Sequence, residues 1–424
     1  MRNLKKLIQC VIVFVFLAAS TSLSIEYEII DLDPLGSYSI AYGINNLGQV
    51  VGVYQTASGQ RAFLWTASGG MRNLGTMSGG IYSSARCIND SGQVVGWSST
   101  IFGQEDHAFL WTTEGGMIDL GTLGGTISHA YGINDSGYVV GGSQLLSGSG
   151  HAFLWTEVGG MEDLGILPPF YSSEALGINN LVQVVGNSAG HAFLWTETGG
   201  MQALGGIGGT FSRAYGINDS GQIVGAASLP DSTNWHACMW TEFVGIQDLG
   251  TLGGDHSVAL GINNSGQVVG YSSESASGPD RAFLWTDGVM QDLGTLGGDF
   301  TRAEGINDSG QVVGTSKTAS GQVHACMWIP VTPETMLSRT AQFIIDEIEL
   351  GNIDVELETS LLAKIGAALE ALDRGNPNDA KVAMNDLKAL ISQVEAQTDK
   401  KITAEAAAEI IRLANEIITA LEGL

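Results

Sequence analysis

The chain has 424 residues, 44% of them hydrophobic, with 18 Lys and Arg against 44 Asp and Glu and a formal net charge of −26. So acidic a surface repels phosphate backbones and anionic membranes, which excludes nucleic acid as a partner. The four cysteines show no metal-ligand spacing, and neither a metal nor a cofactor is expected.

Residues 1–24 read as a secretory signal. Arg2, Lys5 and Lys6 form a basic start, Leu7 to Ala19 an apolar run, and the following Ser, Thr and Leu a small-residue cleavage zone. The run is short for a membrane span, and Cys10 lies inside it, where no lipid anchor would be attached. Cleavage removes three basic residues and no acids, so the mature chain carries 15 against 44, or −29.

From residue 25 to 328 one pattern recurs. A Gly-Ile-Asn triplet, Cys-Ile-Asn once, places its Asn at 45, 89, 134, 179, 218, 263 and 307. A period of about 40–45 residues without helical spacing points to four-stranded blades, and seven of them make a seven-bladed β-propeller. In the third unit strands a to d are expected at Ser128–Asn134, Tyr138–Ser143, His151–Thr156 and Gly160–Leu164. Asn-Asp-Ser-Gly between a and b is hairpin chemistry: short polar side chains hold the turn and Gly supplies positive φ.

Each strand c ends in Trp, at Trp65, Trp111, Trp155, Trp195, Trp240, Trp285 and Trp328. One large aromatic per unit, burying about 150–250 Å², reads as core between blades. The seventh unit lacks its strand d, and the missing Asp-Leu segment stands before the first unit as Ile30-Asp31-Leu32. The first strand should therefore complete the last blade and hide the sheet edge. By the same register His107, His151, His236 and His324 each face an acid, respectively Asp119, Asp163, Asp248 and Asp31, and Arg281 faces Asp292. Such cross-strand pairs serve the blade. At Arg61 and His191 the partners are Asn73 and Ala203, so the series is incomplete.

His-Ala-Phe stands at His107, His151 and His191, varied to Arg-Ala-Phe at Arg61 and Arg281 and to His-Ala-Cys at His236 and His324. In these residues the units resemble the HAF repeat family of bacterial extracellular proteins. The resemblance implies secretion and a propeller-like fold, and brings no activity. Cys87, Cys238 and Cys326 occupy internal positions on non-adjacent blades and read as small buried apolar residues rather than disulfide partners.

After Trp328 the composition changes. Residues 329–336 read as a linker and 337–424 as an all-α, four-helix domain, with candidate helices Pro333–Leu350, Asp354–Arg374, Pro377–Gln397 and Thr403–Leu421. Leu361, Ile365, Ala368, Leu369 and Leu372 keep helical spacing; Gly375, Asn376 and Pro377 mark a stop and a start. The tail is similar to the FIMAH domain family through Phe343-Ile344-Ile345, Leu387 to Ile391 and Lys400 to Thr403, which implies an accessory or attachment role.

No phosphate loop, nucleophile elbow or paired-carboxylate signature appears, and no catalytic residue is assigned. The units disagree in the position after Val-Val-Gly and in the b–c loop. Trp97, Phe102, Glu105, Asp231, Trp235 and Tyr271 lie there; aromatics beside acids suit contact with an extracellular glycan or protein. Ser212-Arg213 and Thr301 to Glu304 break the strand-a pattern mildly. The first expectation is a secreted non-enzymatic binding or surface-interaction scaffold. The second is an extracellular polysaccharide-active enzyme, hydrolase or lyase, with acids meeting at the propeller mouth.

Overall fold

Seven four-stranded antiparallel sheets stand around one axis in a computed structural model that describes residues 26–100, 105–230, 234–276, 278–374 and 378–422. The expected signal segment, Phe102, Asp231 and the Gly375–Pro377 boundary lie outside the described residues. In each blade the strands run in chain order from the axis outward. The third blade holds Gly124–Ile133, Val139–Leu145, Gly150–Thr156 and Gly160–Gly165, antiparallel throughout. The seventh blade takes its outermost strand from the N-terminus: Tyr27–Asp31 pairs with Val323–Pro330.

Blades pack through a repeated apolar layer. Between the first two, Val51, Ala62, Leu64, Leu74 and Met77 meet Ala85, Ile88, Val94, Phe109 and Trp111. The centre of such a layer is the Phe of His-Ala-Phe: Phe63, Phe109, Phe153, Phe193 and Phe283 are all 0% exposed. Cys238 and Cys326 fill the same slot in blades five and seven, equally buried and free. The tryptophans are less uniform than the sequence suggests. Trp111, Trp240, Trp285 and Trp328 are buried, whereas Trp65, Trp155 and Trp195 are only half-buried. All seven pair with the first residue of strand b, as Trp155 does with Val139, at the edge of the layer next to the a–b turns.

Three sets of polar contacts stitch neighbouring blades. At the start of strand a, a buried hydroxyl accepts the backbone N–H of the His-Ala-Phe alanine from the preceding blade, as Ser83 does from Ala62 at 2.9 Å; Thr301 does this for Ala282, and Ser39 closes the circle with Ala325. At the other end, Asn45 Nδ2 donates to the Asn89 carbonyl at 3.0 Å, and the same step repeats around to Asn307, which donates to Asn45. The third set lies one residue further along the turns. Asn46 N–H donates to Asp90, Asp90 N–H to Asp135, Asp135 N–H to Asn180, and so through Asp219, Asn264 and Asp308 back to Asn46. Buried polar groups cost free energy unless paired, and these circuits pair them across every blade boundary.

The propeller unit spans Ile29–Ile329, and a second compact unit holds the helices from Pro330 onward. The expected linker 329–336 shrinks to Val331 and Thr332, because strand Val323–Pro330 runs on and helix α1 starts at Pro333. Thr332 caps α1 in a reciprocal box with Thr335, and Pro333 supplies a pre-set φ at the first turn. Helices α1 (Pro333–Glu349), α2 (Glu358–Asp373), α3 (Asp379–Gln397) and α4 (Ala404–Glu422) enclose one core of Leu337, Ile344, Leu361, Ile365, Leu387 and Ile410.

Candidate functional site

The a–b turns surround one mouth of the axial channel with a cavity of about 170 Å³ lined by an Ile-Asn-Asn or Ile-Asn-Asp run from every blade. This mouth is occupied with its own chemistry. Besides accepting backbone N–H groups, the four aspartates receive the amides of the three asparagines. Asn46 Nδ2 donates to Asp90 and Asp308, Asn180 to Asp135 and Asp219, and Asn264 to Asp219 and Asp308. Every carboxylate in the circle is engaged from a neighbouring blade, so the turns act as a clasp.

The channel wall above it differs from blade to blade. Each inner strand carries a β-bulge at the same place, between the alanine and the glycine of the Ala-x-Gly run in six blades and between Ala85 and Cys87 in the second. A bulge leaves one residue without a ladder partner and re-aims its side chain. The glycine after it sits where a Cβ would lie 3.0 Å from the Arg86 carbonyl, at Gly43, or 2.8 Å from the Tyr215 carbonyl, at Gly177. Neighbouring inner strands thus approach closely at that level, where blade two alone has a side chain, Cys87, and the bulge residue carries the variation. It is tyrosine at 42, 131 and 215, leucine at 176 and 260, Arg86 in blade two and Glu304 in blade seven. The slot is repeated and its occupant is not.

Occupants of neighbouring blades interact. The Arg86 guanidinium lies over the Tyr42 ring at 3.9 Å, a cation–π contact. Burial pushes the Glu304 carboxyl above the usual carboxylate range, while Arg302 and Arg86 pull it back. Burial likewise raises the Tyr131 phenol, with Glu174 adding to the effect. Two residues before the bulge, on the side of the d–a loops, stand Ser84, His129, Glu174, Arg213 and Arg302 in five blades and Ile40 and Val258 in the other two. Arg302 is held by Asp280, its Nε donating at 2.8 Å, and lies over Tyr271 at 4.1 Å. His129 packs on Trp97 at 5.3 Å and accepts or donates at Tyr131 Oη at 3.3 Å; burial holds its imidazolium form below the usual range.

Of the residues singled out from the sequence, Trp97 joins this wall between Tyr82 and His129, and Tyr271 joins it between His256 and Arg302. Trp235 stacks with Phe211 at the outer part of the same face, centroids 6.5 Å apart. Glu105 is exposed and contributes its carbonyl to Thr100 N–H. Phe102 and Asp231 are not among the described residues. Arg86, His129, Tyr131 and Glu174 were missed. The signal was present: the residue before Gly-Ile-Asn or Cys-Ile-Asn, and the one two positions earlier, change chemical class in columns whose neighbours repeat.

The blade histidines stand apart from this site. Nδ1 of His107, His151 and His236 donates to Asp119, Asp163 and Asp248 at 2.9 Å each, and His324 to Asp31 at 2.8 Å. Arg281 binds Asp292 at 2.7 Å. Asp119, Asp163, Asp248 and Asp292 also accept the N–H of a positive-φ glycine two residues on, as Asp119 does from Gly121 at 2.8 Å, and Asp31 accepts that of Asp33. Asn73 keeps that second contact with Gly75 although it faces Arg61. These pairs fasten strand d to strand c.

Fold and wall together define a seven-bladed propeller with an asymmetric channel, followed by a helical module. Residues 338–419 match the FIMAH domain. No curated protein matches the chain. Among solved structures, TolB from Acinetobacter baumannii is similar at 11% identity over 66% of this chain and 78% of its own, TM-score 0.41. AofleA from Arthrobotrys oligospora aligns at 12% identity over 65% and 90%, TM-score 0.38. A gluconolactonase from Xanthomonas campestris aligns at 15% over 53% and 80%, TM-score 0.30. Among the described residues no helix is long and apolar enough to cross a membrane, and no group of His, Cys, Asp or Glu could hold a metal ion.

Proposed function

We propose that the chain is a secreted, HAF-type binding scaffold that holds an extracellular glycan on the face bearing the d–a and b–c loops. One observation carries this reading. Aromatic pairs not required by the repeat gather on that face, namely Tyr82 with Trp97, Phe211 with Trp235, and His256 with Tyr271. The opposite face spends its polar groups on its own clasp. Sugar rings stack on aromatic faces while their hydroxyls seek carboxylates, and Asp106, Glu174 and Asp280 stand beside these rings. Arrays of glycans and peptides test it: Trp97→Ala and Trp235→Ala should keep the fold and lose the bound glycan, and Ser136→Ala in an a–b turn should keep it. Turn variants that abolish binding while both tryptophan variants bind normally would put the ligand on the wrong face.

A second reading, an enzyme acting on extracellular polysaccharide, draws on Glu304. Its carboxyl is held toward the protonated form at the channel wall beside Tyr42 and Arg86, as a general acid requires. Release of reducing ends by the wild type, lost in Glu304→Gln, would favour it; binding without turnover across the panel would reject it.

A further inference from the structure

In an acidic propeller, cations on the channel wall are selective features. Residues 25–328 hold seven basic residues, Arg61, Arg72, Arg86, Arg213, Arg281, Arg302 and Lys317, against 27 acidic ones. Three of the seven, Arg86, Arg213 and Arg302, lie on inner strands. Arg302 is committed to Asp280, and Arg213 is exposed. Arg86 differs from both. Its Nε is buried with no hydrogen-bond partner, and two residues before it Ser84, only 3% exposed, has a buried Oγ that is likewise unpartnered.

Both donors stand on the inner strand Ser83–Ile88, two positions apart, Ser84 in the ladder and Arg86 at its bulge. A buried donor without an acceptor is costly, and two of them so close along one strand mark a place where an acceptor is missing. The Tyr42 ring fixes the guanidinium plane from one side. Glu304, the nearest acidic candidate, makes no hydrogen bond to Arg86 Nε, and its burial disfavours the charged form that would compete for the cation.

We infer that this site takes a carboxylate: Arg86 and Ser84 receive the acid group of a uronate residue in the bound glycan. The inference rests on the glycan-binding reading above and names its substrate class. A planar carboxylate offers paired acceptors that match the guanidinium fork and a neighbouring hydroxyl. The sugar's own hydroxyls then meet Glu174, and its ring faces the Trp97 side of the wall.

Calorimetric titration of the full chain with an oligogalacturonate, its methyl ester and a neutral galactose oligomer tests the assignment. The acid should bind about tenfold tighter than the ester, roughly 1.4 kcal/mol, and Arg86→Gln should erase that preference. Arg86→Lys keeps the charge without the fork and should retain only part of it, which guards against an Arg86→Gln chain that fails to fold. Equal binding of acid and ester by the wild type, or an acid preference that survives Arg86→Gln, overturns the carboxylate site while leaving glycan binding intact. If none of the three saccharides binds, both readings fall. Binding of a peptide with a free C-terminal carboxylate in place of all three would reassign the site to a peptide ligand.

Discussion

His324 and Asp31 are 293 positions apart in the chain and 2.8 Å apart in space. Their contact fastens the N-terminal strand to the last blade. It is also the most enclosed of the four His–Asp pairs: the His324 side chain is 3% exposed, against 14–19% for His107, His151 and His236. Asp31→Ala strands a buried Nδ1–H and should cost about 1–3 kcal/mol. Asp119→Ala, whose partner keeps access to water, should cost at most about 1 kcal/mol. Urea unfolding of both variants measures the difference; equal losses would mean that closure draws nothing from this pair.

Phenylalanine, not tryptophan, should dominate core stability. Phe153 is fully buried and Trp155 half-buried in the same strand. Phe153→Ala should therefore cost about 3–5 kcal/mol, with Trp155→Ala clearly below it. Reversal of that order in denaturant midpoints would contradict the packing described.

The clasp at the a–b turns makes a charge prediction. Asn180 stands between Asp135 and Asp219 and donates to both at 2.9 and 3.2 Å. Asn180→Asp removes the donor and sets four carboxylates in a row, at 90, 135, 180 and 219. A lower melting midpoint is expected, on the order of 1 kcal/mol, relieved by added salt. A salt-independent loss would point to backbone disturbance instead.

Glu304 gives a pH dependence. Its folded carboxyl sits above the ordinary value of 4.5, so the folded chain binds this proton more tightly than the unfolded one. The stabilising contribution is complete below about pH 4 and is lost as pH rises through the folded value. Glu304→Gln should consequently be more stable than the wild type at neutral pH, with the gain vanishing in acid. Thermal unfolding across that range checks it, and a gain that persists below pH 4 would refute the assignment.

The architecture was legible because blades are written in local chemistry. Turn residues, period and alternation fall within one unit, and the displaced Asp31-Leu32 segment showed how the circle closes. The wall was not, because its members meet across blades. Arg86 and Tyr42 are 44 positions apart, each an isolated exception within its own unit, and only the bulge reveals that they share a level. The Asn-Asp turns hid a second role for the opposite reason. Asn45 Oδ1 does hold its own hairpin, accepting from Leu47 and Gln49 N–H, and that sufficient local account concealed its amide's contact with the Asn89 carbonyl in the next blade.

Seven is an odd number, and the clasp bears the mark of it. Amides and carboxylates can alternate without a fault around an even circle; around an odd one, two of a kind must stand together. Here the order from residue 46 is Asn, Asp, Asp, Asn, Asp, Asn, Asp, and the unavoidable like pair is Asp90 beside Asp135. Those residues belong to blades two and three, which also carry Arg86 and His129 on the wall above. Parity alone thus gives a nearly symmetric disc a distinguishable edge, and one angular sector is singled out at both ends of the channel.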